Sequence, residues 1–379
     1  MNITIIGGGN IGCGMAGYLS ENGHSVTILS SKPGAFGKSI EVIDNVSGSS
    51  FSADIARVTD DLVFAVADAE LIYVTYPSFM LEAFFYGLQQ ALNKPIMIGI
   101  VPGTGGAEFY GKALVKSGHV LFGFDRVPCI ARINEYGRSV FVSKKKSVRC
   151  VALQAHKTKE MCRINTHLLG LECIPLKSYL AVTFTPSNPI VHTSRTYAMF
   201  RDYNEETVYE RNFLYYKEWD DIASSVLFAM DEELQQICAN LKDIDLSEMI
   251  FTKNHYGVSS VEEATKKIRS IESLKNIFSP MRKMDNGYIP DFQSRYFIED
   301  IPYGLCILKG FALIVGIETP SMNKVLLWHQ KMLGKEYIKQ DGSLGCDVDE
   351  TAVPQNFGIT TKQDIYRYYL GRGQIGERY

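Results

Sequence analysis

No stretch of the 379-residue chain approaches the about 18–20 unbroken apolar residues of a membrane-spanning helix, so no membrane partner is expected. Net charge is also scarce: 39 Lys plus Arg against 42 Asp plus Glu leave −3. That balance excludes a strongly basic nucleic-acid binder and a polyanionic tail. The eight cysteines (Cys13, Cys129, Cys150, Cys162, Cys173, Cys238, Cys306 and Cys346) form no Cys-x-x-Cys pair. A zinc ribbon and a thioredoxin-type motif are therefore excluded, and buried reduced thiols are expected. The seven histidines (His24, His119, His156, His167, His192, His255 and His329) form no His-Glu-x-x-His, so no metal site is expected. A basic start followed by an apolar segment is missing too, because Asn2 enters a strand directly. No secretory leader is expected, and the expected compartment is the cytoplasm.

What is present is an alternation of strand and helix. Ile3-Thr4-Ile5-Ile6 opens into Gly7-Gly8-Gly9-Asn10-Ile11-Gly12, a helical pattern follows, and Ser25 to Ser30 reads as a second strand. Strand, glycine turn, helix and strand in about 30 residues is the size of a βαβ unit. Further apolar runs at 71–76, 96–101 and 120–124 read as strands buried on both faces, with helical patterns near 60–69, 79–92 and 106–117. The alternation is expected to run to about residue 175. Residues 39–43 and 50–57 flank Asn45-Val46-Ser47-Gly48 and read as a hairpin insertion. Beyond 178, aromatic and apolar residues recur at helical spacing: Tyr209, Phe213, Tyr216, then Ile222 to Leu241, Val261 to Leu274 and Ile307 to Val315. The expected fold class is α/β: a Rossmann-type doubly wound sheet over 1–177, then a mostly α-helical substrate and catalytic domain over 178–379.

The glycine turn sits where a dinucleotide site needs it, after a strand and before a helix. Gly7 permits the tight turn, Gly9 lets backbone approach a pyrophosphate, and Gly12 lets helix pack on strand. The helix start, Asn10 and Ile11 included, offers N–H groups and the positive end of the dipole. At the end of the second strand an NAD site usually carries Asp or Glu. Here Ser30-Ser31-Lys32 supplies hydroxyls and an ammonium and no carboxylate to repel a 2′-phosphate. NADP is therefore the expected cofactor, with NAD as the alternative. Pro102-Gly103-Thr104-Gly105-Gly106 ends another strand and is expected near the ligand crevice. Lys144-Lys145-Lys146 reads as a solvated turn.

His192 stands apart from the other histidines. It lies in Ser187-Asn188-Pro189-Ile190-Val191-His192, at the junction of the two halves, where an interdomain cleft is expected. A polar cluster runs from Ser294 through Arg295 and Asp300 to Gly304. Spacing alone does not bring His192 and Asp300 together.

The glycine turn, Pro102-Gly103-x-Gly105-Gly106, Asn188-Pro189-x-x-His192, Arg295-Tyr296-x-x-Glu299-Asp300-x-Pro302-x-Gly304 and Thr319-Pro320 resemble, in combination, the opine dehydrogenase family of octopine/nopaline dehydrogenase type. The Asn188-Pro189 to His192 and Arg295 to Gly304 segments set the chain apart from glycerol-phosphate and ketopantoate reductases, which share a two-domain plan. The resemblance implies a 6-phosphogluconate dehydrogenase C-terminal-like helical domain and an NAD(P)H-dependent reductive condensation of an amino acid with a 2-oxo acid, chemistry on a CH–NH bond in the EC 1.5.1 class. It implies His192 as acid/base with Asp300 as its partner, and Arg295 and Asn188 as substrate-binding residues. A carboxylate on the far ring nitrogen fixes the imidazole tautomer and raises its basicity, and a guanidinium binds a carboxylate bidentately.

The chain also departs from the family. Thr193 follows the histidine where a proline is common. Thr104 and Arg126 stand at amino-acid-recognition positions where a glutamine and a threonine are often found. Both join the expected substrate-binding set, and Arg126 favours an extra negative charge on the substrate. The remaining alternatives are a 2-oxo acid/2-hydroxy acid dehydrogenase that needs no amine, and a non-catalytic dinucleotide sensor. Expected partners are small molecules, no nucleic acid, and at most a second copy of the chain in a homodimer.

Overall fold

A strand covered on both faces has no wet side, so its sequence runs apolar without alternation. That is how Asn2–Ile6 (β1), Ser25–Leu29 (β2), Leu71–Val74 and Met97–Ile100 come to form the middle of an eight-stranded sheet. The computed structural model describes residues 1–371; residues 372–379, which the expected second domain includes, lie outside the described residues. The chain divides into two compact units, Met1–Thr183 and a second that begins at Phe184.

In the first unit Asn10–Glu21 (α1) links β1 to β2. There follow Ser39–Asp44 (β3), Ser50–Asp54 (β4), Arg57–Thr59 (β5) and the short helix Leu62–Val66 (α2). Leu71–Val74 (β6), Leu81–Ala91 (α3), Met97–Ile100 (β7), Ala107–Tyr110 (α4), Lys112–Lys116 (α5) and Val120–Phe124 (β8) continue the alternation. Cys129–Glu135 (β9), Ser139–Lys144 (β10), Ser147–Ala152 (β11), Thr158–Leu169 (α6), Glu172–Pro175 (β12) and Leu180–Thr183 (α7) complete the unit. The large sheet runs β12-β11-β8-β7-β6-β1-β2-β5, with β5, β2, β1, β6, β7 and β8 parallel. Their carboxyl ends share one edge, and the order turns back at β1 between β6 and β2, where open α/β sheets bind ligands.

Three expectations need correction here. The hairpin forms, with Ile40 opposite Ala53, but residues 57–59 leave it and join the large sheet beside β2. The alternation also stops at β8. Three consecutive strands follow, β11 runs antiparallel to β8, and β10 pairs with β3 and β9 in a second sheet ordered β4-β3-β10-β9. This sheet packs on α1. Val42 and Val142 turn inward, and Gly14 and Gly17 of α1 make room for them: a Cβ on Gly17 would lie 2.3 Å from Val42 Cγ2. The Lys144–Lys146 turn is only partly solvated. Lys145 donates its N–H to Pro128, and burial, with Arg126 nearby, pulls its ammonium down to about 8.

The second unit is built on Asn188–Phe200 (α8), Asp221–Ala239 (α9), Thr252–Tyr256 (α10), Val261–Arg269 (α11), Arg295–Ile298 (α12), Cys306–Val315 (α13), Pro320–Leu333 (α14) and Lys362–Leu370 (α15). Asp220, Ser260 and Thr361 cap α9, α11 and α15 with side-chain oxygens, each at the boundary such residues favour. A hairpin, Met281–Met284 (β13) with Gly287–Pro290 (β14), interrupts the helices. The helical spacing of Tyr209, Phe213 and Tyr216 is not realised: 201–220 is a run of turns. Among the described residues no helix is long and apolar enough to cross a membrane.

Candidate active site

The first unit presents a cradle at the carboxyl edge of its sheet. Gly7 has φ +112°, a backbone state L side chains avoid, and donates its N–H to Leu29. A Cβ on Gly12 would lie 1.8 Å from the Gly7 carbonyl oxygen, so only glycine lets α1 start this close to β1. Above Gly9 the space is open, with nothing within 4 Å of an added Cβ. No side chain caps α1 and its first turn carries no acidic residue. The N–H groups of Asn10, Ile11 and Gly12 therefore point out of a bare helix start of a kind that holds phosphate. The Asn10 side chain accepts the Ile133 N–H at 2.8 Å, fixing this helix start to β9.

At the end of β2 the three-residue set separates. Ser30 is buried; its hydroxyl lies 3.1 Å from Tyr136 Oη and accepts the Lys32 N–H. Only Ser31 and Lys32 are exposed there. The β9–β10 turn thus brings in Tyr136, whose ring meets Phe36 edge-on, and Arg138, which lies against Gly37. Their distance from Ser30 in sequence hides them, because only the second sheet carries them to β2. Thr104 and Arg126 follow β7 and β8 at the same sheet edge, both half-buried.

The second unit brings together the residues of the polar cluster and the histidine. Pro189 lies in the first turn of α8, where a missing N–H is harmless. One turn on, His192 Nδ1 lies 2.7 Å from Asp300 Oδ2. Asp300 stands between α12 and a wide turn over Ile301–Leu305. That turn presses on α8 because Gly304 has no side chain: a Cβ there would lie 2.6 Å from Pro189 Cγ. Burial pushes the Asp300 carboxyl above the ordinary carboxylate range, and His192 pulls it only partway back.

The other imidazole nitrogen is also engaged: Nε2 lies 2.8 Å from Tyr216 Oη. In the neutral ring Nδ1–H donates to Asp300, and Nε2 accepts from the phenol. Tyr215 donates to the His192 carbonyl at 2.8 Å, and the Tyr296 ring centroid is 4.5 Å from the imidazole. The buried Arg195 fixes the turns that supply these tyrosines. It donates to the Tyr215 and Glu218 carbonyls and pairs with Asp220 at 2.7 Å. Tyr216 escapes sequence reasoning because its spacing with Tyr209 and Phe213 mimics a helix face.

Arg295 opens α12 and pairs through Nε with Glu299, one turn later, while its side chain stays 66% exposed. Asn188 is exposed at the start of α8. Thr193 is buried, and its hydroxyl donates back to the Pro189 carbonyl at 2.6 Å. Among the described residues no group of three or more His, Cys, Asp or Glu is placed to hold a metal ion.

Residues 175–333 match the family model described as NAD/NADP octopine/nopaline dehydrogenase, alpha-helical domain, and residues 2–109 match that of NAD-dependent glycerol-3-phosphate dehydrogenase N-terminus. The octopine dehydrogenase of Pecten maximus is 27% identical over 324 residues, covering 81% of both chains. The tauropine dehydrogenase of Arabella iricolor is 27% identical over 398 aligned positions, covering 96% of this chain and 99% of its own. An octopine dehydrogenase solved with NADH and pyruvate has the same fold, with a TM-score of 0.84 at 24% identity over the full length of both chains. The helical domain that distinguishes this group is matched directly, and the two relatives align over 81% and 96% of this chain. Residues 175–333 thus carry the octopine/nopaline dehydrogenase helical domain, and the chain, similar to opine dehydrogenases over most of its length, is a nicotinamide-dinucleotide-dependent oxidoreductase.

Proposed function

We propose that the protein is an NADP-preferring opine dehydrogenase that condenses the amine of an amino acid with the carbonyl of a 2-oxo acid and reduces the resulting imine. The observation that carries this reading is the His192–Asp300 pair, its carboxylate buried and its imidazole partly so, 2.7 Å between Nδ1 and Oδ2, in the helical unit. The glycine cradle fits a dinucleotide: Gly7, Gly9 and the N–H groups of Asn10, Ile11 and Gly12 would hold its pyrophosphate. Ser31 and Lys32 would hold a 2′-phosphate, with Ser30 shaping the strand end. The bound cofactor supplies the hydride.

The chain's own residues do the rest. Asp300 holds Nδ1–H and orients the ring, so the second nitrogen carries the mobile proton. His192 gives that proton to the carbinolamine hydroxyl so that water can leave, and takes one back in the reverse direction. The terminal nitrogens of Arg295 bind the 2-oxo acid carboxylate in a fixed orientation while Nε keeps its partner Glu299. Asn188 contacts substrate at the start of α8. Thr104 and Arg126 select the amino acid, and Arg126 favours one with an extra negative charge.

The test is a matrix of amino acids against 2-oxo acids, pyruvate included, read by NADPH absorbance and by mass spectrometry of the product. Turnover that needs both substrates and yields an N-(1-carboxyalkyl) amino acid is expected. Oxidation of NADPH by an oxo acid alone would show a 2-hydroxy acid dehydrogenase. NADPH binding without turnover would show a sensor.

A further inference from the structure

We infer that the Tyr216 hydroxyl is the atom through which His192 exchanges its proton with substrate, an inference that rests on the acid–base reading above. An imidazole has two in-plane nitrogen positions, and both are taken here. Nδ1 faces Asp300 at 2.7 Å, and Nε2 faces Tyr216 Oη at 2.8 Å. A substrate oxygen has no third in-plane site on the ring. The phenol must either step aside or pass the proton on.

The surroundings favour passing it on. Tyr216 is only 8% exposed, and its ring lies parallel to Trp219, 6° between planes with centroids 6.2 Å apart. Trp219 is fully buried and donates to Ser224 at 2.9 Å. On either side of Tyr216 the backbone is pinned by Arg195, through the carbonyls of Tyr215 and Glu218. Tyr215 ties the same segment to the His192 carbonyl. Swinging the phenol away would break a stack and strain a clamped turn, whereas relaying a proton moves no heavy atom.

The step balances. The C–O bond of the carbinolamine breaks, and its electron pair takes the Tyr216 Oη proton, releasing water. The nitrogen lone pair closes the C=N bond and carries the positive charge. The His192 Nε2 proton moves to Tyr216 Oη, leaving a neutral imidazole and a neutral phenol, and Asp300 keeps Nδ1–H throughout.

Tyr216→Phe keeps the ring and its stack on Trp219. On the substrates that wild type turns over, kcat is expected to fall by about 10²-fold, the usual scale of general acid–base catalysis, with KM for NADPH unchanged. The proton inventory of kcat in mixed light and heavy water should curve for wild type, with two protons in flight, and straighten for the variant. Tyr216→Phe combined with His192→Ala should be no slower than His192→Ala alone, because both changes cut one path. A Tyr216→Phe enzyme with kcat within twofold of wild type, or faster, overturns the relay. So does a double variant in which the two losses multiply. The two readings fail separately: wild type that needs no amine sinks the opine assignment, and the same variants are then read on the oxo-acid reduction, where the carbonyl oxygen takes the proton.

Discussion

Gly304 and Pro189 meet where a methyl group on Gly304 would stand 2.6 Å from Pro189 Cγ. This contact sets how closely the 301–305 turn approaches α8, and hence the reach between Asp300 and His192, one turn along the helix. Glycine is needed here for space, since its φ is not positive. Gly304→Ala should therefore push turn and helix apart. Overpacking of this kind costs about 1–3 kcal/mol. The expected result is a lower melting temperature and a drop in kcat of about tenfold or more, as for a misplaced acid–base group, with unchanged NADPH affinity. Normal turnover would show that the contact does not set the pair.

Asp300 should cost the fold stability while serving the site. Its carboxyl is raised by burial, so between its unfolded and folded pKa values the folded state binds more protons than the unfolded one. Stability then falls as pH rises through that window, and the deficit persists at neutral pH. Asp300→Asn removes the buried charge while keeping an oxygen for Nδ1–H. It should melt at or above the wild-type temperature at pH 7 and lose about 10²-fold or more in kcat. Urea unfolding and initial rates on the same samples check both halves; a variant both active and less stable would contradict the argument.

The parts of this molecule that could be read in advance are the local ones. Ile3 to Ile6, the glycine turn and α1 belong to one continuous segment whose periodicity and turn chemistry agree. The pairing of β3 with β10 joins residues about a hundred positions apart, and no local pattern encodes it. Tyr209, Phe213 and Tyr216 carry a helical spacing, yet Arg195 on a different element binds the carbonyls of Tyr215 and Glu218 and holds turns there. His192 and Asp300 were legible only through a family resemblance. What joins them is the missing side chain of Gly304, whose effect depends on the neighbour it meets.

The strand end at Ser30 predicts an asymmetry between cofactors. Ser30 points inward to Tyr136, so the groups offered to a 2′-phosphate are the exposed Ser31 and Lys32. Ser31→Asp with Lys32→Ala should raise KM for NADPH by about tenfold or more, the scale of one lost charge-assisted hydrogen bond, and leave KM for NADH near wild type. Equal effects on both cofactors would remove these residues from the 2′-position.

His329 predicts how the helical unit responds to acid. It is fully buried, accepts from Thr196 of α8 at Nε2, 2.7 Å away, and donates from Nδ1 to the Val325 carbonyl at 2.8 Å. Burial lowers its pKa from 6.5 to about 3. Between those values the unfolded state binds the extra proton, so the stability is fully present above 6.5 and drains away as pH falls toward 3. At about 1.4 kcal/mol per unit, the loss amounts to a few kcal/mol across the window. His329→Gln should be less stable at pH 7, because the fit is poorer, yet should lose less on going from pH 7 to pH 5. Urea midpoints at the two pH values measure this, and an equal pH dependence in both proteins would exclude His329 as the source of acid sensitivity.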